Sequence, residues 1–202
     1  YYGADAVYVG GKDFSLRSFA DNFTRDELKE AISYAHNLGK KVYVTANIFA
    51  KNADMPLLED YFKFLESANA DAAIISDSGA VYAAKKSAPK LNIHISTQAN
   101  LTNKYAVKFW REQGASRAIL ARELSLKEIK EIHESSLKPS FTAQCVFHIR
   151  GGACFQTTSQ GAKATAASVF RLAVGIIRYA KRTTFPTAAG SISKRMKVAL
   201  TF

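Results

Sequence analysis

The last third of this sequence contains neither aspartate nor glutamate: residues 135–202 carry ten lysines and arginines, while residues 1–134 hold 18 basic residues and all 17 acidic ones. With roughly half of an average 25% charged fraction acidic, a segment of that length would hold about eight acids. The formal net charge of +11 taken whole would suggest a polyanionic partner. It resides in the tail, however, and the larger part of the chain is nearly balanced. Cysteine is also scarce. Cys145 and Cys154 are too few for a disulfide framework and lack zinc-ligand spacing, so this chain is expected to hold no metal and no cofactor of its own. No apolar run reaches the roughly 18 residues of a membrane span. The opening YYGADAVYVGG has neither the charged nor the long apolar region of a signal peptide. These absences lead us to expect a cytoplasmic protein with no membrane partner. What is present, 202 residues of which 48% are hydrophobic, suffices for a real core.

Short β-branched runs alternate with amphipathic helical runs from Ala6 to Arg122. The runs are AVYVG (6–10), KVYVTANIF (41–49), AAIISD (72–77), NIHISTQ (92–98) and RAILAR (117–122), each nearly continuous in apolar residues, as a parallel strand covered on both faces requires. Helix ends are marked locally. Thr24 with Glu27, and Ser125 with Glu128, form capping boxes, and Gly39 and Gly114 are stop signals. The spacing predicts further helices over 55–68, 79–87 and 103–113. Junctions before strands repeat a small-residue signature, GADA (3–6), NADA (69–72) and GASR (114–117). Such repeats build either an open doubly wound sheet or a (β/α)8 barrel. No G-x-G-x-x-G follows the first strand, and the short, even crossovers favour an α/β partial TIM-like barrel of about five units over 1–134. A non-native, disordered tail is expected over 135–202.

In either architecture the chemistry sits at the carboxyl ends of the strands. The residues there are Gly10, Gly11, Ser15 and Arg17 after the first, Asn47 after the second, Asp77 after the third, His94, Ser96, Gln98 and Asn100 on and after the fourth, and Arg122 and Glu123 after the fifth. By the two-residue period of a strand, His94, Ser96 and Gln98 would point to one side, into a barrel whose layers are normally apolar. That row reads as ligand binding or, alternatively, as a satisfied buried network. Arg122 would receive an anion, or would pair with Glu123 at a helix start; Asp77 is either a site residue or the cap of the next helix. No nucleophile with its base can be assigned, so the catalytic residues stay open.

The motifs GADAVYVGG, SLR (15–17), NF (22–23), YAHNLGKKVYVTAN (34–47), IHISTQAN (93–100), KFW (108–110) and LARELSLKEI (120–129) resemble, in order and spacing, the collagenase-like peptidase family, number thirty-two among the unassigned peptidases. The likeness runs over 1–134. The family's opening strand and helix are missing, and Tyr1 is not a start methionine, so the amino terminus is expected to be truncated. After residue 134 the likeness ends, where the family shows F-V-H-G-A-M-C and a cysteine-rich segment. Regrouping degenerate codons one base earlier lets the codons of Ser140–Val146 read F-V-H-G-A-M-C, and family-like strings follow. A one-base frameshift near 135–140 is therefore expected. The family's four cysteines would come from the codons now giving Val146, Ala153, Val169 and Ala173, and Cys145, Cys154 and His148 would not be ligands.

The resemblance implies two activities. One is cleavage of collagen-like or other peptides. The other is prephenate-dependent hydroxylation of RNA, at a tRNA uridine or a ribosomal cytidine, with an iron–sulfur cluster on the four cysteines of intact members. RNA or peptide would accordingly be the partner. Hydroxylation is favoured, because no peptidase constellation is visible, a thiolate quartet suits a cluster, and Arg17 and Arg122 suit a carboxylate co-substrate. A third expectation is that the chain as written is inert, with strand edges exposed.

Overall fold

In the computed structural model, residues 5–16, 22–135, 142–149 and 153–158 are described. Five strands each precede a helix: β1 Ala6–Gly10, α1 Arg25–Asn37, β2 Lys41–Ala46, α2 Met55–Ser67, β3 Ala72–Ile75, α3 Ser78–Ser87, β4 Ile93–Ile95, α4 Lys104–Glu112, β5 Arg117–Leu120 and α5 Leu126–Ser135. They are followed by β6 Thr142–Ile149 and β7 Ala153–Thr158. The sheet order is β1-β2-β3-β4-β5-β6-β7, parallel through β6 and antiparallel at the last pair. Each strand lies beside its predecessor and the order never reverses. That is barrel winding; a doubly wound sheet would have a switch point. Two strands thus stand within the segment expected to be a tail, while residues 159–202 lie outside the described part.

The local signals explain the elements. Thr24 accepts from the Glu27 N–H at 3.3 Å while its own N–H donates to the Glu27 carboxylate at 2.8 Å, so two orphan donors at the start of α1 are satisfied reciprocally. Gly39 and the small-residue junctions that begin at 69 and 114 are helix stops: Gly39, Asn69 and Gly114 stand at φ 67°, 58° and 84°. The next N–H in each case reaches back to Ala35, Leu65 or Trp110 at 2.9–3.1 Å, closing the helix end on an orphan carbonyl.

The sheet's outer face is closed by helices. Val7, Val9, Val42, Val44, Ala73, Ile75, Ile93, Ile95, Ala118 and Leu120 pack with Leu28, Ile32, Leu58, Phe62, Leu65, Val81 and Val107 in one buried cluster. The inner face, which a closed barrel would enclose, has only a small second cluster of Tyr43, Ala72, Ile74 and Ile119.

Candidate functional site

The loops after β1, β2, β3 and β4 meet at the carboxyl edge of the sheet, and Asn47 joins them. Its Oδ1 accepts from the Leu16 N–H at 3.3 Å, its Nδ2 donates to Gln98 Oε1 at 3.3 Å, and its carbonyl accepts from the Ser76 hydroxyl at 3.3 Å. Gln98 Oε1 also accepts from the buried Ser96 hydroxyl. On the β1 side the Thr45 hydroxyl donates to Ser15 Oγ at 3.1 Å. A Cβ at Gly10 would stand 2.8 Å from Asn22 Oδ1 and 2.9 Å from Ser15 Oγ, so the close approach of these polar groups requires glycine there. Phe14, at φ 58°, turns the chain so that Ser15 and Leu16 fall under this edge.

The expected polar row on the fourth strand is corrected in its lower half. β4 stops at Ile95, because the Ser96 side chain caps a 3-10 turn at Thr97–Ala99, and Gln98 therefore sits on that turn and not on the strand. Asn100 ends the turn in the left-handed conformation, φ 54°, which asparagine tolerates, and its N–H donates to the Thr97 carbonyl at 3.1 Å. Asp77 is the cap of α3, accepting from the Ala80 N–H at 2.8 Å. Arg122 and Glu123 are exposed beyond β5, and among the described residues neither makes a hydrogen bond or ion pair, so they do not pair with each other. Arg17 lies outside the described residues.

His94 is on the inner face, 5% exposed, with its ring edge-on to Tyr43 at 4.5 Å. The Arg117 guanidinium lies over the same Tyr43 ring at 5.1 Å. Burial, then Arg117 and Lys41, drive the imidazole pKa down to about 3. His94 is a neutral imidazole across the physiological range, and its Nδ1 has no hydrogen-bond partner among the described residues. A fully satisfied buried network is therefore not what holds it.

Thr45, Ser76, Asn22, Tyr43 and Arg117 belong to this face and were not read from sequence as site residues. Thr45 precedes Asn47 by two and was legible from the strand period. The others depend on contacts between distant loops. Taken together the edge is rich in carboxamides and hydroxyls, suited to reading the hydrogen-bonding groups of a neutral polar ligand. Among the described residues no group of three or more His, Cys, Asp or Glu could hold a metal.

Comparison with known proteins places these residues in context. The sequence profile of Peptidase family U32 matches residues 1–163, running past residue 134, where the motifs read from the sequence stop. Bacillus subtilis tRNA hydroxylation protein P1 is 48% identical over 134 residues, covering 66% of this chain and 32% of that protein. An uncharacterized protease of Methanocaldococcus jannaschii is 42% identical over 153 residues, covering 76% and 37%. The Escherichia coli 23S rRNA 5-hydroxycytidine synthase is 31% identical over 159 residues, covering 79% and 23%. The chain thus spans about a third of the length of the first two relatives. A solved U32 peptidase superposes with a TM-score of 0.59 at 15% identity, over 72% of this chain and 61% of that one, which is a likeness of fold.

Proposed function

The chain belongs to peptidase family U32, and from that membership we propose that it is part of an RNA-hydroxylating protein acting on a tRNA uridine. The observation that carries the reading is the 48% identity to a tRNA hydroxylation protein over 134 residues. The chemistry of the site agrees with it: Asn47, Gln98 and Ser96 offer neutral donors and acceptors of the kind that read a base edge. A ribosomal cytidine is the alternative target, after the rRNA-modifying relative. Prephenate dependence is part of the proposal; the exposed guanidinium of Arg122 is the group on this edge that would meet its carboxylates.

An iron–sulfur cluster does not fit the residues present. A four-thiolate cluster needs four cysteines, and this chain has two, Cys145 on β6 and Cys154 on β7, which are not opposite one another in the ladder. No step is derived through a cluster. We propose that it belongs to the reading frame restored after residue 135, and that the protein works in the cytoplasm. Sequencing the gene tests the frame: an uninterrupted frame encoding 135–202 refutes the shift.

Peptide hydrolysis is the second reading, favoured by the M. jannaschii relative. Against it, neither His94 nor His36 is hydrogen-bonded to a serine or threonine hydroxyl or a cysteine thiol among the described residues, the one partner of His36 being Asp71 at 2.8 Å, so neither forms a nucleophile–base pair there. The deciding experiment is mass spectrometry of tRNA nucleosides from a strain lacking the gene, beside casein and collagen cleavage by the protein. Loss of 5-hydroxyuridine supports the proposal. Unchanged nucleosides with measurable proteolysis overturn it.

A further inference from the structure

The near neutrality of residues 1–134 conceals a separation of charge. Between Asp77 and Glu112 there is no acidic residue, while Lys85, Lys86, Lys90, Lys104, Lys108 and Arg111 fall there; the rest of 1–134 has twelve basic residues against seventeen acidic ones. The helices divide accordingly. α1, α2 and α5 each carry more acids than lysines and arginines, and α3 and α4 carry the reverse. The same two helices hold three of the four large aromatic residues that the described helices expose, Tyr82 at 72%, Tyr105 at 72% and Phe109 at 51%, the fourth being Tyr34 on α1.

α3 and α4 follow the neighbouring strands β3 and β4, which places them side by side on the outer face. A Cβ on Gly114, at the end of α4, would stand 3.7 Å from the Lys85 ammonium, so the α3 lysine reaches across to α4. Lys104 lies 5.5 Å from the centre of the Tyr105 ring, and Phe109 follows Tyr105 by one turn. Lys104 also occupies the first turn of α4, where the helix dipole disfavours a cation, so local helix energetics do not account for it. Among the described residues only Lys108 meets an acid within the surface, Glu112 at 3.9 Å, and Glu66 of α2 borders it through the Lys90 N–H. The first turn of α4 follows Asn100 by four residues, so the surface begins beside the candidate site.

We propose that the outer face of α3 and α4 is the track along which a single strand of the RNA substrate lies on its way to the Asn47–Gln98 edge. It rests on the reading of the protein as RNA-modifying. Lysines spaced between exposed aromatic rings supply both halves of single-strand recognition, phosphate neutralisation and base stacking. Acidic neighbours on α2 and α5 confine a polyanion to the strip between them.

The test uses the full chain with a fluorescein-labelled unmodified tRNA transcript. Lys104→Glu with Lys108→Glu should weaken binding at least tenfold at 0.1 M salt and lower the slope of log affinity against log salt by about 1.4, the single-strand value for two phosphate contacts. The charge-matched control, Lys29→Glu with Lys63→Glu on α1 and α2, should stay within threefold. Tyr105→Ala with Phe109→Ala should weaken binding without changing the slope. Because residues 135–202 are also basic, ultraviolet cross-linking with peptide mass spectrometry locates the contact, and adducts on the α3 and α4 peptides are expected. Adducts confined to 135–202, or equal loss in both charge-reversed pairs, overturn the track and leave the RNA reading standing. Absence of any tRNA binding by the folded chain, including a case where anionic vesicles or an acidic protein bind instead, overturns both.

Discussion

The two faces of one sheet are built from different chemistry. Outward, toward the helices, successive strands offer valine, isoleucine, leucine and alanine without a polar interruption. Inward, the same strands offer Thr45, His94 and Arg117 beside a four-residue cluster of Tyr43, Ala72, Ile74 and Ile119. A parallel strand in a closed barrel must bury both faces, so the polar inward groups are not a requirement of folding. The difference teaches that stability is concentrated on the outer face and that the inner face and its carboxyl edge are free to serve binding. The largest expected effect follows from this. Phe62, fully buried on α2, touches the outer cluster only, and Phe62→Ala should cost about 3–5 kcal/mol, read as a lower urea midpoint. A loss below about 1 kcal/mol would erase the contrast between the faces.

His94 breaks the comparison from the other side. Its pKa falls from the 6.5 of an unhindered imidazole to about 3 in the folded protein. Between those values the unfolded chain binds the proton and the folded one does not, so the stabilising contribution is complete above pH 6.5 and is lost as pH falls toward 3. By pH 4.5 the loss should be about 2–3 kcal/mol. His94→Leu should leave stability at pH 7 within about 1 kcal/mol, since it removes an unpartnered buried nitrogen, and should flatten the acid limb. Urea midpoints at pH 7, 5.5 and 4.5 for both proteins give the result; parallel curves would mean that another group carries the acid sensitivity.

Asn47→Ala sharpens the role of the edge. Two partners lose a bond, the Leu16 N–H and Gln98, while the Ser76 hydroxyl keeps the backbone carbonyl of residue 47. A stability loss of about 1–2 kcal/mol is expected, because the site is only partly buried. The loss of tRNA hydroxylation in a complemented strain should be far larger in proportion. Equal, modest losses in both would make Asn47 a loop tie and nothing more.

Much of this architecture was legible because it is local. Thr24 with Glu27 caps α1 within one turn, and β1 coincides with AVYVG since its flanks, Asp5 and Gly11, are poor strand residues. The end of β4 was not legible. Ser96 fits a strand by alternation, and only its side chain, turned onto the Gln98 N–H and side chain, converts the next three residues into a 3-10 turn. The edge itself was legible in part: Asn47 and Gln98 could be named as candidates, but the bond joining them spans 51 positions, and no local period encodes it. Arg117 escaped notice for a related reason. It opens β5, and its place over Tyr43 is created by the register and twist of the two strands, β3 and β4, that lie between them.

The smallest effect separates a cap from a functional carboxylate. Asp77 stands at the carboxyl end of β3, on the same edge as Asn47, yet its side chain accepts from the Ala80 N–H and thereby satisfies a first-turn donor of α3. Asparagine caps as well as aspartate, so Asp77→Asn should change stability by less than about 0.5 kcal/mol, whereas Asp77→Ala should cost about 1 kcal/mol. A carboxylate that moves a proton or binds a cation would show the opposite order, because asparagine retains the shape and loses the charge. Hydroxylation retained in Asp77→Asn and reduced in Asp77→Ala only as far as its melting temperature falls would assign Asp77 to the scaffold. Hydroxylation abolished in Asp77→Asn at unchanged melting temperature would move it into the site and extend the polar inner face one strand further.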